Sequence, residues 1–268
     1  MLEKAVALLD CFAPGDGPLR LSELARKAGL TKTTAFRLTG DLVRLRLLER
    51  DGDSYRLGGR LFELGSLVPR RSSLRETALP YLQDLFEATH ETVHLGVREG
   101  HEVVYVERIH GHGAVELPSR IGGRLPLTCT GVGKALLAFS EAELVEEVLA
   151  APLQRLTPHS ISDPLRLRTV IEQVQASGLA YEEQEATGDV TCIAAPVFDG
   201  GGIAVAAISL AVPLARFRPA QLAPAVRTAA LGLSRALREG KGRHLTGLVR
   251  PPAGPGGSEP GSGKDLPA

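Results

Sequence analysis

Five residues of the sequence, His90-Glu91-Thr92-Val93-His94, carry the H-E-x-x-H spacing of zinc proteases. On a helix that spacing stacks two imidazoles one turn apart and sets a glutamate beside them as general base. The chemistry therefore depends on a helix. The stretch that follows, "TVHLGVREGHEVVYVERI", is rich in β-branched residues: Val93, Leu95 and Val97 alternate along one run, Val103 to Arg108 along the next. Glu99-Gly100-His101-Glu102 has the composition of the turn between them, so the pattern predicts a β-hairpin. His90 then closes a helix while His94 lies on a strand, and the two share no helical face. The extended form of the motif also fails, because Val97 and Gly100 stand where it needs Gly and a third His. A zinc-dependent hydrolase is set aside. "HGHG" at 110–113 reads as a hairpin loop, and no metal or other cofactor is expected.

A second chemical pattern is "TCTGVGKALLAF", residues 128–139. Gly133-Lys134 is P-loop-like, but Thr128 replaces the first Gly and Ala135 the Mg²⁺-binding hydroxyl, so nucleotide hydrolysis is set aside. A Gly-rich turn opening a helix still leaves free N–H groups that suit a carboxylate. The alternative is a tight turn required only by packing. Cys129 and Cys192 sit in apolar or Gly-rich surroundings and read as small buried hydrophobes, not nucleophiles.

The elements around these patterns begin with a basic end. Residues 21–50 hold seven Lys or Arg against three Asp or Glu, within a chain whose 31 basic and 31 acidic residues cancel. A local excess of this kind points to an anionic partner. "LEKAVALLDCF" predicts a first helix with Leu2, Val6, Leu9 and Phe12 inward, ended by Pro14 and Gly15. "SELARKA" predicts a second, capped by Ser22 and stopped at Gly29. After the short turn Gly29-Leu30-Thr31 comes "KTTAFRLTGDLVRLR", with Ala35, Leu38, Leu42 and Leu45 as its apolar stripe. So short a turn beside the small Ala25 makes a helix-turn-helix. Arg50 and Arg56 flank Asp51-Gly52-Asp53 on a predicted hairpin wing. The residues expected at DNA are Ser22, Thr31, Lys32, Thr33, Thr34, Phe36, Arg37, Arg50 and Arg56, the helix N-terminus entering the major groove. Two competing readings are a helical packing module with a solvated basic face and a metabolite-binding protein that ignores DNA.

Length and composition agree with two domains. At 268 residues, 43 % hydrophobic and 23 % charged, the chain has ordinary globular proportions. The N-terminus lacks the form of a secretory signal, and no apolar run is long enough to span a bilayer. Three scattered cysteines suggest no disulfide framework, so a cytoplasmic setting is expected. "GRLFELGSLVPRRSS" predicts a linker helix over 59–73 stopped near Pro69. "SLRETALPYLQDLFEATH" predicts a longer helix with Leu74, Leu82, Leu85 and Phe86 inward and a kink or restart at Pro80. Helices starting at Ser140 and capped by Ser162 follow, then a strand in "LAYEEQE". "TCIAAPVF" and "IAVAAISLAV" predict a second hairpin buried on both faces. A long helix closes an α+β domain over 74–240. The tail from 241 to 268 is too rich in Pro, Gly and Ser to pack.

Taken in order, "EKAVALLDCF", "LSELARKAGLTKTTAFRLTGDLV", "YRLGGRLFELG", "SRIGGRLPLTCTGVGKALLA" and "LTPHSISDP" resemble the IclR family of bacterial transcriptional regulators. The resemblance spans nearly the whole chain. It implies a winged helix-turn-helix domain over 1–58, the linker helix, and a C-terminal GAF-like α/β domain over 74–240 for effector binding and oligomerisation. It further implies a homodimer or dimer of dimers on a palindromic, double-stranded DNA operator, and a small organic or aromatic acid as effector. The effector positions carried over are Leu125, Gly131, Val132, Val190, Cys192 and Ser209. Glu182 stands where Asp is common, and Ala211 where a second Ser is frequent. His90 and Asp189 each replace a usual glycine.

Overall fold

A computed structural model describes residues 1–13, 17–111, 113 and 117–241. Pro14 and Gly15, His112 of the 110–113 stretch, and the tail from 242 onward lie outside the described residues. The chain folds as two units that meet in sequence at Leu79 and Pro80.

The first unit begins with α1 (Leu2–Leu9), β1 (Leu19–Arg20), α2 (Leu21–Lys27) and α3 (Lys32–Arg44). On α1 the expected stripe is corrected: Leu2 and Val6 are exposed, while Leu8 and Cys11 are buried, with Ala5, Leu9 and Phe12 packed beside them. Ala5, Leu8, Leu9 and Phe12 form an equally regular helical stripe, and the choice between the two registers rests on what the helix packs against. Ser22 is not the cap of α2. The chain stays extended through Arg20 because β1 pairs with the wing, so the cap is Arg20, the helix starts two residues earlier, and Glu23 accepts the Arg20 N–H at 2.8 Å. Two residues of strand are too short to show a period. Gly29 takes φ 63°, and the N–H groups of Leu30 and Gly29 donate back to the carbonyls of Ala25 and Arg26. This paired closure lets α3 leave at once.

Thr31 caps α3 through its side-chain oxygen, which accepts from the Thr34 N–H. Ala35, Leu38, Thr39 and Leu42 are buried, but Leu45 is exposed because the helix stops at Arg44. Arg46 takes φ 60° there, and Leu47 and Arg46 donate to the carbonyls of Leu42 and Val43. The wing follows as β2 (Leu48–Asp51) and β3 (Ser54–Leu57), turned at Gly52 with φ 58°. Sheet order is β1-β3-β2. Next come α4 (Gly59–Ser66), which buries none of its residues, and α5 (Pro69–Thr89). Pro69 therefore opens a helix, where its fixed φ is favourable. Helix α5 passes through Pro80 without restarting and buries Leu74, Ala78, Leu82 and Leu85, with Phe86 half-buried.

The second unit is a six-stranded antiparallel sheet, order β6-β5-β4-β9-β8-β7, with helices. Its strands are β4 (Thr92–Glu99), β5 (Glu102–Ile109), β6 (Arg124–Pro126), β7 (Ala180–Glu183), β8 (Val190–Phe198) and β9 (Ala204–Pro213). Its helices are α6 (Gly131–Leu137), α7 (Ala142–Ala150), α8 (Pro164–Ser177) and α9 (Pro219–Ala236). The cap of α7 is Glu141 and that of α8 is Asp163, whose carboxylate takes the Leu165 N–H at 3.0 Å; Ser140 and Ser162 lie just outside. Helix α6 is buried along its whole length. Val132, Ala135 and Leu136 pack with Val103, Ala194 and Ala207 in one apolar cluster. On the opposite parity of β8, Ile193, Ala195 and Val197 are buried too, so both faces of the sheet are covered. Among the described residues no helix is long and apolar enough to cross a membrane.

Candidate DNA-reading helix and effector cavity

The H-E-x-x-H residues are dispersed by the fold. His90 ends α5 with φ 54°, and Asp189 takes φ 59°, so both positions that replace a usual glycine sit in the left-handed region that glycine favours. Glu91 is gripped by both arms of Arg216, at 3.0 and 2.8 Å. His94 is buried on β4, its Nε2 2.8 Å from Ser119 Oγ and its ring 5.1 Å from that of Tyr105. Among the described residues no three His, Cys, Asp or Glu side chains gather as metal ligands would.

The P-loop-like stretch is explained by packing and by a cavity. A Cβ on Gly133 would lie 2.1 Å from the Leu127 carbonyl oxygen, so only glycine lets α6 seat on the preceding turn. Lys134 is almost fully buried and bonded to Glu185 and to the Tyr181 carbonyl. Gly131 instead faces the sheet, where its missing side chain leaves room above Cys192 and Ala194.

On the basic unit, Lys32, Thr33, Phe36 and Arg37 are exposed on α3, opposite its buried stripe. Phe36 is 65 % exposed, a large aromatic surface held in water. Among the described residues Arg37 donates only to Met1 Sδ at 3.5 Å, a weak acceptor, and keeps most of its donors for another partner. Thr31 and Thr34 bond each other at 2.9 Å, so both hydroxyls serve the cap first. Ser22 is exposed on α2. On the wing, Arg50 Nε donates to the Gly52 carbonyl. Arg56 is neutralised across the hairpin by Glu49, at 2.9 Å. The Gly59 N–H also binds Glu49, and these contacts hold its carboxyl below the ordinary range. Of the two wing arginines, Arg50 is therefore the one without an ion pair among the described residues.

On the other unit, strand register assembles the cavity. Glu182, Cys192 and Ala211 stand side by side across β7, β8 and β9, and Ser209 stands opposite His94 across β9 and β4. Leu125, Gly131, Val132, Glu182, Val190, Cys192, Ser209 and Ala211 all line one small cavity of about 20 Å³, room for about one water molecule. Its wall also includes His94, Tyr105, Ser119, Thr130, Ala186 and Thr187, which sequence reading did not assign to an effector site. The cap pattern of Thr130, three residues before Gly133, was the one local signal among them. His94 and Ser119 are 25 residues apart, and only the β4–β5 fold joins them.

Burial sets the charge of these groups. His94 is held down to about 3 by desolvation, then by the nearby charges of Arg108 and His110, so its imidazole is neutral at pH 7. Desolvation pushes the Tyr105 hydroxyl and the Cys192 thiol up. It also raises Glu182, although Cys192 and the N–H groups of Ala186 and Glu185 bond its carboxylate. The cavity surface is mostly apolar, with a neutral His94 among its few polar groups.

A winged helix-turn-helix with a clean outward face, joined to a separate domain with a small interior cavity, defines a ligand-responsive DNA-binding regulator. Residues 1–52 match the IclR helix-turn-helix domain and residues 68–235 the bacterial transcriptional regulator IclR C-terminal domain. The chain belongs to the IclR family of transcriptional regulators. It is 33 % identical to the HTH-type transcriptional regulator XynR of Escherichia coli K12, over 88 % of this chain and 96 % of that one. It is 34 % identical to the regulator BhcR of Paracoccus denitrificans, over 82 % and 80 %. Among solved structures, an IclR homolog from Microbacterium hydrocarbonoxydans complexed with 4-hydroxybenzoate matches with TM-score 0.80 and 33 % identity, covering 89 % of this chain and 99 % of that one. Thermotoga maritima IclR matches with TM-score 0.74 and 30 % identity, over 88 % and 98 %.

Proposed function

We propose that this regulator binds a palindromic operator as a homodimer or dimer of dimers, and that an organic or aromatic acid entering the His94–Glu182 cavity is its effector. In this reading α3 reads bases through Lys32, Thr33, Phe36 and Arg37. Ser22, Thr31, Thr34, Arg50 and Arg56 lie along phosphates or support those that do. The observation that carries the effector half is convergence: eight residues from separate parts of the sequence line one cavity. The similar homolog holding 4-hydroxybenzoate supports the ligand class.

The cavity is too small for an aromatic ring as it stands, so binding requires its walls to move outward. A ligand that favours the opened form shifts the population of conformations, and DNA affinity follows only through that difference. Calorimetric titration of the full chain with 4-hydroxybenzoate and with benzoate tests the effector half. Heat that disappears in Ser209→Phe, which fills the cavity, supports it; equal heat in that variant removes the cavity from the argument. For the DNA half, operator affinity measured between 50 and 200 mM salt should fall steeply, by about 10³-fold for six phosphate contacts. A flat salt response sinks it.

A further inference from the structure

A second, larger recess opens beside α8, walled by that helix, the start of β7 and the 155–163 segment. It encloses about 830 Å³, within the size range of small-molecule sites. Ile161, Val174 and Leu179 give it an apolar wall, and buried Lys134 and Glu185 lie at its base. Lys134 Nζ bonds Glu185 Oε1, and it donates to the Tyr181 carbonyl at 2.9 Å. Glu185 Oε2 is buried without a hydrogen-bond partner among the described residues. A desolvated carboxylate oxygen is unfavourable until a donor reaches it.

The charges around the recess select the donor. Its lining carries three cations, Lys134, Arg155 and Arg166, and three carboxylates, Asp163, Glu183 and Glu185. Arg155 is tied to the Pro158 carbonyl, and Asp163 to the cap of α8. Arg166 is exposed and bonds none of the described residues. A simple anion would meet Arg166 but face Glu185, and a simple amine would meet Glu185 but face Arg166. A molecule carrying both groups satisfies both. We propose that this recess is a second small-molecule site that takes an amine-bearing carboxylic acid, its ammonium on Glu185 Oε2 and its carboxylate on Arg166.

The recess and the effector cavity share parts. The N–H groups of Glu185 and Ala186 both bond Glu182 Oε1, and Glu182 and Ala186 line the cavity. Helix α6 offers Gly131 and Val132 to the cavity and Lys134 to the recess. A ligand that stiffens Glu185 therefore acts on the turn that walls the cavity, and the coupling is reciprocal.

Titration calorimetry on the full chain tests the site with the ω-amino acids from glycine to 6-aminohexanoate, using butyrate and butylamine as half-probes. We expect one amino acid to bind at least about tenfold tighter than either half-probe. Arg166→Ala, a surface change, should weaken it about tenfold, and Glu185→Gln should weaken it further. Three results overturn the proposal: half-probes binding as well as every amino acid, unchanged binding in Arg166→Ala, or no binding at all. A change of oligomeric state in Arg166→Ala would assign the recess to contact between copies and overturn it too. The 4-hydroxybenzoate titration and the operator assay read the proposed function separately, so either can fail alone.

Discussion

The two units place their functional side chains in opposite environments. On α3, Lys32, Thr33, Phe36 and Arg37 stand in solvent, and the buried residues of the same helix hold it in place. In the cavity, His94, Glu182 and Ser209 are themselves part of the packed interior. The first arrangement separates function from stability along one helix, face against face. The second merges them. A surface reader can then be altered at little cost to the fold, whereas cavity residues carry both duties and changes there move stability and binding together.

That contrast is open to challenge at several scales. The largest expected effect is in the second unit: Lys134→Met leaves Glu185 as a buried, uncompensated charge, which should destabilise by about 3–5 kcal/mol in urea unfolding. A loss under 1 kcal/mol would mean that the buried pair contributes little. Next are two glycines given the same substitution. Gly133→Ala drives a Cβ into the Leu127 backbone and should cost about 3 kcal/mol. Gly40→Ala, on exposed α3 with open space around it, should stabilise the first unit by about 1 kcal/mol through helix propensity. Effects of the same sign and size at both positions would erase the distinction between the units.

Arg37→Ala should leave circular dichroism and melting unchanged while weakening operator binding by about 1–3 kcal/mol, the scale of one base-reading side chain. Unaltered affinity would take Arg37 out of the reading face. A last effect concerns pH. His94 titrates near 6.5 when unfolded but is held to about 3 in the fold. Between those values the unfolded chain binds the extra proton, so acidification favours unfolding. Stability should fall between pH 6.5 and 5 by up to about 1.4 kcal/mol per pH unit from this group. His94→Gln should flatten that slope in urea titrations; an identical slope would show that His94 is not the group responsible.

What was legible in the sequence follows the same division. The helix-turn-helix, the wing and both hairpins of the second unit announce themselves through caps, turns and periods that span few residues. Errors came where local signals allow two answers. The apolar run in α1 supports two stripes, and Leu8 was chosen over Val6 by its neighbours. Ser22 looked like a cap because β1, only two residues long, left no trace. Leu45 continued a stripe that Arg46 cuts off by turning left-handed. The effector positions were reached through resemblance to a family, because no local pattern links Leu125 to Ser209. The sequence by itself determined the helix-turn-helix, the wing and both later hairpins, the cationic helix face and the failure of the zinc motif, since those depend on residues within a turn or two of each other. Only the tertiary structure decided that His94 meets Ser119, that Lys134 is spent on Glu185, and that residues from five stretches of the sequence share one cavity. Strand register and helix seating bring such groups together, and those depend on the whole packed interior at once.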